Sequence, residues 1–320
     1  MRENDLLQHV YAGNAVLPNA VTIPPGDDMG AIAFGDLSLL VAVDQVADGV
    51  HFDLANTPLA KVGRKAITRN LSDVAAMAAK PTAAVVAACL PRDFGEANAT
   101  ALFDAMRDTA QAYGCPLIGG DTAIWDGKLL LSVTVFAEPW RDAADQPIAP
   151  VQRRGAQPGD AIYVTGELGH SFPTDHHLDF EPRLELAREL VLASGGATRP
   201  TAMIDLSDGI AQDLPRLVEH AELQTRILPL REGESTDGRE PWQHALGDGE
   251  DYELLFTAPA DAVIPHAFGH DEDESKHVLI TRIGTVTDAG GIVVVTPEGE
   301  SLALNDCFGS TSGGGWEHTA

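Results

Sequence analysis

Cysteine is nearly absent. The three, Cys89, Cys115 and Cys307, lie far apart and form no CxxC pair. That spacing argues against a disulfide framework or a zinc site and fits a reducing cytosol. They read as small buried hydrophobes. Positive charge is also scarce: 21 Lys and Arg against 48 Asp and Glu give a formal net charge of −27. Phosphate backbones would be repelled, so nucleic acid is a poor partner, and an anionic substrate needs bridging cations or local arginines. Part of the charge is solvated surface, as in the expected loop "HDEDES" at 270–275. Long apolar runs are missing. The longest, such as "AAVVAACL", are strand-sized, far short of the ~20 residues of a transmembrane helix. The N-terminus "MRENDLLQHVYAGN" has no signal-peptide core and reads as a short amphipathic helix.

The common nucleotide signatures are absent too. The Gly127–Lys128 pair lacks the upstream glycine and following hydroxyl of a P-loop, no GxGxxG follows a strand, and no kinase catalytic loop is present. Any ATP chemistry must use another scaffold.

What remains is a chain of 320 residues, 44% apolar, enough for one large or two ordinary domains. Strand-like runs include "LSLLVAVD", "AAVVAACL", "KLLLSVTVF", "DAIYVTG", "AMIDLSDG", "YELLFTA", "HVLITRIG" and "GIVVVTP". Helical periodicity alternates with them, most clearly over Leu59–Ala79, with Pro81 as its stop, and again over 95–113 and 182–193. The proline-rich, charged segment 139–160 is the best boundary, predicting an N-terminal unit over 1–145 and a C-terminal unit over 146–320. Both mix strands and helices, so the class is α/β or α+β. The tail "GSTSGGGWEHTA" reads as flexible apart from Trp316.

Carboxylates recur beside glycine or at the ends of apolar runs: Asp27 and Asp28, Asp44, Asp73, Asp121, Asp205 and Asp208, Glu250 and Asp251. Any one alone is more often a helix cap. As a set they would project from one sheet edge, repel one another and raise their pKa values, a conflict that a divalent cation removes. Mg²⁺ takes a few carboxylates plus substrate phosphates, so the set points to Mg²⁺-bridged polyphosphate binding. Asp73 falls beside Asn70 at the edge of its helix's apolar stripe, where a groove is expected. His51 in "DGVHF" and the pair His176–His177 in "TDHH" are the notable histidines. The adjacent pair reads as a loop feature, since it lacks the i, i+4 geometry of a helical metal site.

In order along the chain, "GDDMGAI", "VDQVADGVHF", "KAITRNLSDVAAMAAKP", "LIGGDT", "RRGAQPGDAIYVTG", "IDLSDGIAQDL" and "GEDYELLF" resemble the motifs of thiamine-monophosphate kinases. These share a superfamily with aminoimidazole ribonucleotide synthase, selenophosphate synthetase and a hydrogenase maturation protein. The resemblance runs from Gly26 to Phe256 and more loosely beyond. It implies transfer of the γ-phosphoryl group of ATP to thiamine monophosphate, in a cytoplasmic homodimer with a shared N-terminal β-barrel, C-terminal α/β domains and an active site between domains. Carried over by position, it implies Asp28, Asp44, Asp73, Asp121, Asp205 and Asp208 as Mg²⁺ ligands. Gly120, Asp121, Arg153 and Ser207 become ATP contacts, and His51, Glu250 and Trp316 substrate contacts. No catalytic group is expected beyond metal and phosphate positioning.

The chain departs from the family pattern in four places. Ala42 and Val43 replace a hydroxyl pair before Asp44. The segment after Gly169 is short, trimming one wall of the C-terminal unit. Trp316 is the one counterpart of a substrate-packing aromatic, and Pro215 is expected to kink or restart the helix after "DLSDG". The alternative is a non-catalytic or altered-substrate paralogue that binds nucleotide or thiamine phosphate.

Overall fold

The computed structural model describes residues 3–192, 199–269 and 277–308, with side chains from Leu6 onward. "HDEDES" and Trp316 with its tail lie outside the described residues. After the N-terminal helix α1 (Glu3–Ala12), the chain builds a six-stranded sheet. Its strands are β1 (Val21–Ile23), β2 (Gly30–Phe34), β3 (Leu37–Ala47), β4 (Ala79–Pro91), β5 (Leu117–Trp125) and β6 (Leu130–Pro139). The order is β1-β2-β3-β6-β4-β5, antiparallel except that β4 and β5 run parallel, with β5 at the edge. Alternation sets the faces: Leu40, Ala42 and Val46 of β3 are buried, whereas Val43 is 60% exposed.

Helices α2 (Leu59–Ala76) and α3 (Glu96–Ala112) belong to this half. α2 is buried on most sides, and Gly63 allows its tight approach to α3. A Cβ there would lie 2.9 Å from the Ala105 Cβ and 3.0 Å from the Leu102 carbonyl oxygen. The helix ends at Ala76, earlier than periodicity predicts. Ala78, at φ 46°, turns the chain into β4. Pro81 is therefore not a helix stop but a strand residue, beside a register shift between Pro81 and Ala83 that accommodates its missing N–H.

The second sheet contains β7 (Ala161–Thr165), β8 (Ala202–Asp205), β9 (Ala221–Gln224), β10 (Leu254–Ala258), β11 (Ala267–Phe268), β12 (Val278–Val286), β13 (Ile292–Val295) and β14 (Ser301–Ala303). Its order is β14-β13-β9-β12-β7-β10-β8, with β11 paired to β12. β8 and β10 are buried throughout. Helices α4 (His176–Asp179), α5 (Leu184–Leu192), α6 (Ile210–Leu217) and α7 (Pro241–Gly247) complete it. α6 runs through Pro215 without a break. One apolar cluster joins α2 and the first sheet to Leu186 and Leu190 of α5 and to Met203, Phe256 and Ile280 of the second sheet. Mixed helices and strands in two sheets match the expected α/β (α+β) class.

Candidate active site

Three elements converge where the halves meet. Asp28 sits in the turn before β2, Asp73 on the last turns of α2, and Asp205 at the end of β8. One carboxylate oxygen from each lies within 4.8 Å of the others. β8 ends in the buried run Ala202–Asp205, so its last carboxylate is delivered below the surface. Burial pushes Asp205 up to about 7, Asp28 adding to the shift, while the Ser72 hydroxyl, donating to it at 2.6 Å, opposes. Burial also raises Asp73 well above the usual carboxylate range, with Asp44, Asp205 and Asp28 adding repulsion. Asp27 rises to about 6, again chiefly by burial and then by Asp28. The Arg153 guanidinium donates to Asp28 Oδ1 at 2.7 Å. Asp28 Oδ2 is buried and has no hydrogen-bond partner. A repelling carboxylate group with an orphaned acceptor oxygen fits a hard divalent cation.

The other sequence-predicted acids are placed differently. Asp44 faces α2, where Arg69 Nε donates to it at 2.8 Å and Asn70 Oδ1 accepts from its backbone N–H at 3.1 Å. Because side chains alternate along β3, Ala42 shares the face of Asp44 and Val43 lies on the opposite one. Only the first missing hydroxyl was therefore on the acidic side. Asp208 Oδ2 accepts from Arg216 at 2.8 Å, and the Asp208 backbone N–H donates to Asp213 at 3.0 Å. Asp213, unforeseen from sequence, is raised well above the carboxylate range by burial and by Asp208. Asp121 is exposed on edge strand β5, and its Oδ1 accepts from the Thr122 N–H at 2.9 Å. Neither Asp44, Asp121 nor Asp208 belongs to the three-acid group. At Gly120 a Cβ would lie 2.0 Å from the Val86 carbonyl oxygen, so this glycine is required by the β4–β5 approach itself. The Ser207 carbonyl accepts from the Glu250 N–H at 2.7 Å, docking the "DLSDG" turn on the "GEDY" loop.

That loop holds Glu250 at φ 57° and Tyr252 at φ 52°, a left-handed backbone that side chains rarely adopt. Glu250 is buried in an ion pair with Lys65 of α2, which is 0% exposed. The ammonium also donates to the His51 carbonyl at 2.7 Å and to His177 Nδ1 at 2.8 Å, using its three protons. Burial, then Lys65, lowers His177 to about 3, and Nδ1 is the acceptor because an ammonium can only donate. His51 Nδ1 accepts from the Ala47 N–H at 3.1 Å. The His176–His177 pair is thus no loop feature: it forms the short helix α4, and His177 is a buried partner of Lys65. A cavity of about 400 Å³ opens beside His51, lined by Val50, Phe52, Asp53, Lys61 and Phe172 among others. Sequence reading missed Lys65 and Arg69. Their signal was four-residue spacing: Lys61, Lys65, Arg69 and Asp73 form one ridge of α2.

The family model described as "AIR synthase related protein, N-terminal domain" matches residues 26–138, which carry Asp28, Asp44, Asp73 and Asp121. The fold and this match put the chain in the AIR synthase-related fold class. Among curated relatives, a thiamine-monophosphate kinase of Rhodopirellula baltica is 34% identical over 307 residues, covering 91% of each chain. The solved structure "AaThiL complexed with AMPPCP and TMP" matches with a TM-score of 0.72 at 26% identity, covering 99% of this chain and 97% of that one. The crystal structure of thiamine monophosphate kinase from Aquifex aeolicus matches with a TM-score of 0.67 at 26% identity, covering 95% and 100%. The chain belongs to the thiamine-monophosphate kinase family. Among the described residues no helix is long and apolar enough to cross a membrane.

Proposed function

We propose that this chain phosphorylates thiamine monophosphate to thiamine diphosphate with ATP in the cytoplasm, using Mg²⁺ at the acidic junction. The observation that carries the proposal is the group Asp28, Asp73 and Asp205 with its unpartnered Asp28 oxygen. These three would hold Mg²⁺ first. Asp44, Asp121 and Asp208 join them once their present partners give way to substrate. Mg²⁺ supplies neutralisation of the repulsion between two phosphate-bearing substrates and of charge developing on the transferred group.

The chain's own residues bind and align. Arg153, beside Asp28, and Ser207, in the turn docked on "GEDY", take the nucleotide phosphates together with Gly120 and Asp121. His51 and Glu250 border the substrate, and Trp316 is its further candidate contact from sequence alone. The Phe52, Phe172 and Asp53 lining of the neighbouring cavity suits a cationic aromatic ring. The acceptor phosphate is already ionised near neutral pH, so no strong general base is required.

The proposal extends to assembly. Residues 1–145 and 146–320 act as two units, and two chains pair through the first sheet. The free edge of β5 exposes Ile118, Ile124 and Trp125 beside Asp121, an apolar edge that a second copy would cover. A coupled assay of ADP release with thiamine monophosphate, ATP and Mg²⁺ tests the activity. Turnover dependent on all three supports it, and no turnover while other phosphate acceptors react would sink it. Ala42, on the acidic side of β3, favours one rival, a nucleotide-binding protein without turnover, recognised by calorimetric binding of both ligands with no product.

A further inference from the structure

We propose that His170, His244 and Asp248 form a second metal site, for a divalent transition-metal ion of the Zn²⁺ type, separate from the acidic junction. One ligand atom from each lies within 4.8 Å of the others. His170 follows β7 and His244 and Asp248 are four residues apart at α7, so the site joins two segments distant in sequence. The donor set, two imidazoles and one carboxylate, matches borderline metals, whereas Mg²⁺ prefers oxygen ligands. The site does not rest on the kinase reading.

Three observations support it independently of proximity. First, His170 Nδ1 is buried and has no hydrogen-bond partner, although buried polar atoms are nearly always satisfied. Second, the His170 ring is held in place at some cost. Its backbone lies at φ 55°, its N–H donates to Asp248 Oδ2 at 2.8 Å, and a Cβ on Gly233 would lie 2.5 Å from its ring. Third, His244 has the outer support of a metal-binding histidine. Its Nδ1 lies 3.0 Å from both Asp248 oxygens, while its Nε2 lies 3.0 Å from Ser235 Oγ and 3.5 Å from Asp237 Oδ1. The His170 and His244 rings sit 4.1 Å apart between centroids.

Arg239 gives the arrangement a sign. Its Nη2 lies 2.8 Å from Asp248 Oδ1 and its Nε donates to Asp237 at 2.7 Å. The guanidinium neutralises Asp248 in the metal-free chain, so the arriving ion displaces it. Once bound, the ion fastens the shortened segment after Gly169 to α7, and α7 leads directly into the loop that carries Glu250. The absence of CxxC pairs left this site unsuspected, because it contains no cysteine.

The test is equilibrium dialysis of the full chain against Zn²⁺ in excess Mg²⁺, with elemental analysis, and a parallel Co²⁺ titration read by visible absorption. The expected result is about one Zn²⁺ per chain and a Co²⁺ spectrum typical of low coordination number. His170→Asn tolerates the left-handed backbone and is expected to weaken binding about 100-fold, as is His244→Ala; Asp237→Ala weakens it about tenfold. Arg239→Met is expected to tighten it about threefold, a direction that a purely structural cluster does not predict. Asp205→Asn leaves binding unchanged. Absence of Zn²⁺ binding overturns the proposal, as does binding unaffected by His170→Asn in a variant with native near-ultraviolet dichroism, or binding lost in Asp205→Asn.

Discussion

Lys65 is the residue on which the junction turns. It has no water contact, and Glu250, His51 and His177 take all three of its protons. Burial lowers its pKa and Glu250 resists the shift, so the charge survives only with its partner. Lys65→Met leaves Glu250 buried with only the longer Arg69 contact, at 3.8 Å, for charge compensation and is expected to cost about 3–5 kcal/mol in urea unfolding. Adding Glu250→Leu to it should recover most of that loss, because removing both charges is far cheaper than removing one.

Asp205 behaves in the opposite way. Its pKa of about 7 lies above the unfolded value of 3.8, so the unfolded chain releases this proton first as pH rises. The stability associated with its neutral form is complete below pH 4 and declines as pH rises towards 7. Asp205→Asn should therefore stabilise the metal-free chain at pH 8 by roughly 1–3 kcal/mol while lowering kcat at least ~100-fold. Thermal melts and the ADP assay check the two halves of that expectation. Mg²⁺ should likewise raise Tm more at pH 8 than at pH 5, where protons already occupy the carboxylates.

At the scale of elements, α2 shows what the sequence made legible. Its apolar periodicity gave the helix and its buried stripe. Its last three predicted residues belong instead to a turn at Ala78 and to the start of β4, a boundary set by pairing with β6 rather than by local preference. The strand-end position of Asp205 was readable, whereas Asp28 lies in the turn before β2 and Asp44 falls inside β3, short of its end. Which acids cluster and which pair with arginine was not readable, because Arg69 and Arg216 choose their partners through folding. Lys65 and Glu250 are 185 positions apart. His244 and Asp248 stood at helical i, i+4 spacing, yet their third member comes from a loop 74 residues before His244 in the numbering. Packing at Gly63 is testable at this scale. Gly63→Ala would push Ala105 and the Leu102 carbonyl away from α2. An overpacking cost of about 1–3 kcal/mol is expected in thermal unfolding.

For the whole molecule, the surface proposed for dimer assembly is the open edge of β5. Ile124→Lys combined with Ile118→Lys should shift light-scattering mass from dimer to monomer and lower turnover with it, since Asp121 lies on the same strand. A dimer that persists with both lysines would place the interface elsewhere. Finally, the Lys65–Glu250 pair joins a helix of the first sheet to a loop of the second. Pulling these apart by one water diameter would break the buried charge pair, leaving the ammonium with neutral acceptors such as the His51 carbonyl and the carboxylate with the Tyr252 hydroxyl. The two halves are therefore held at a single separation, like the jaws of a caliper locked before measurement. A ligand that bridges the two halves must therefore match a separation that this buried pair fixes beforehand.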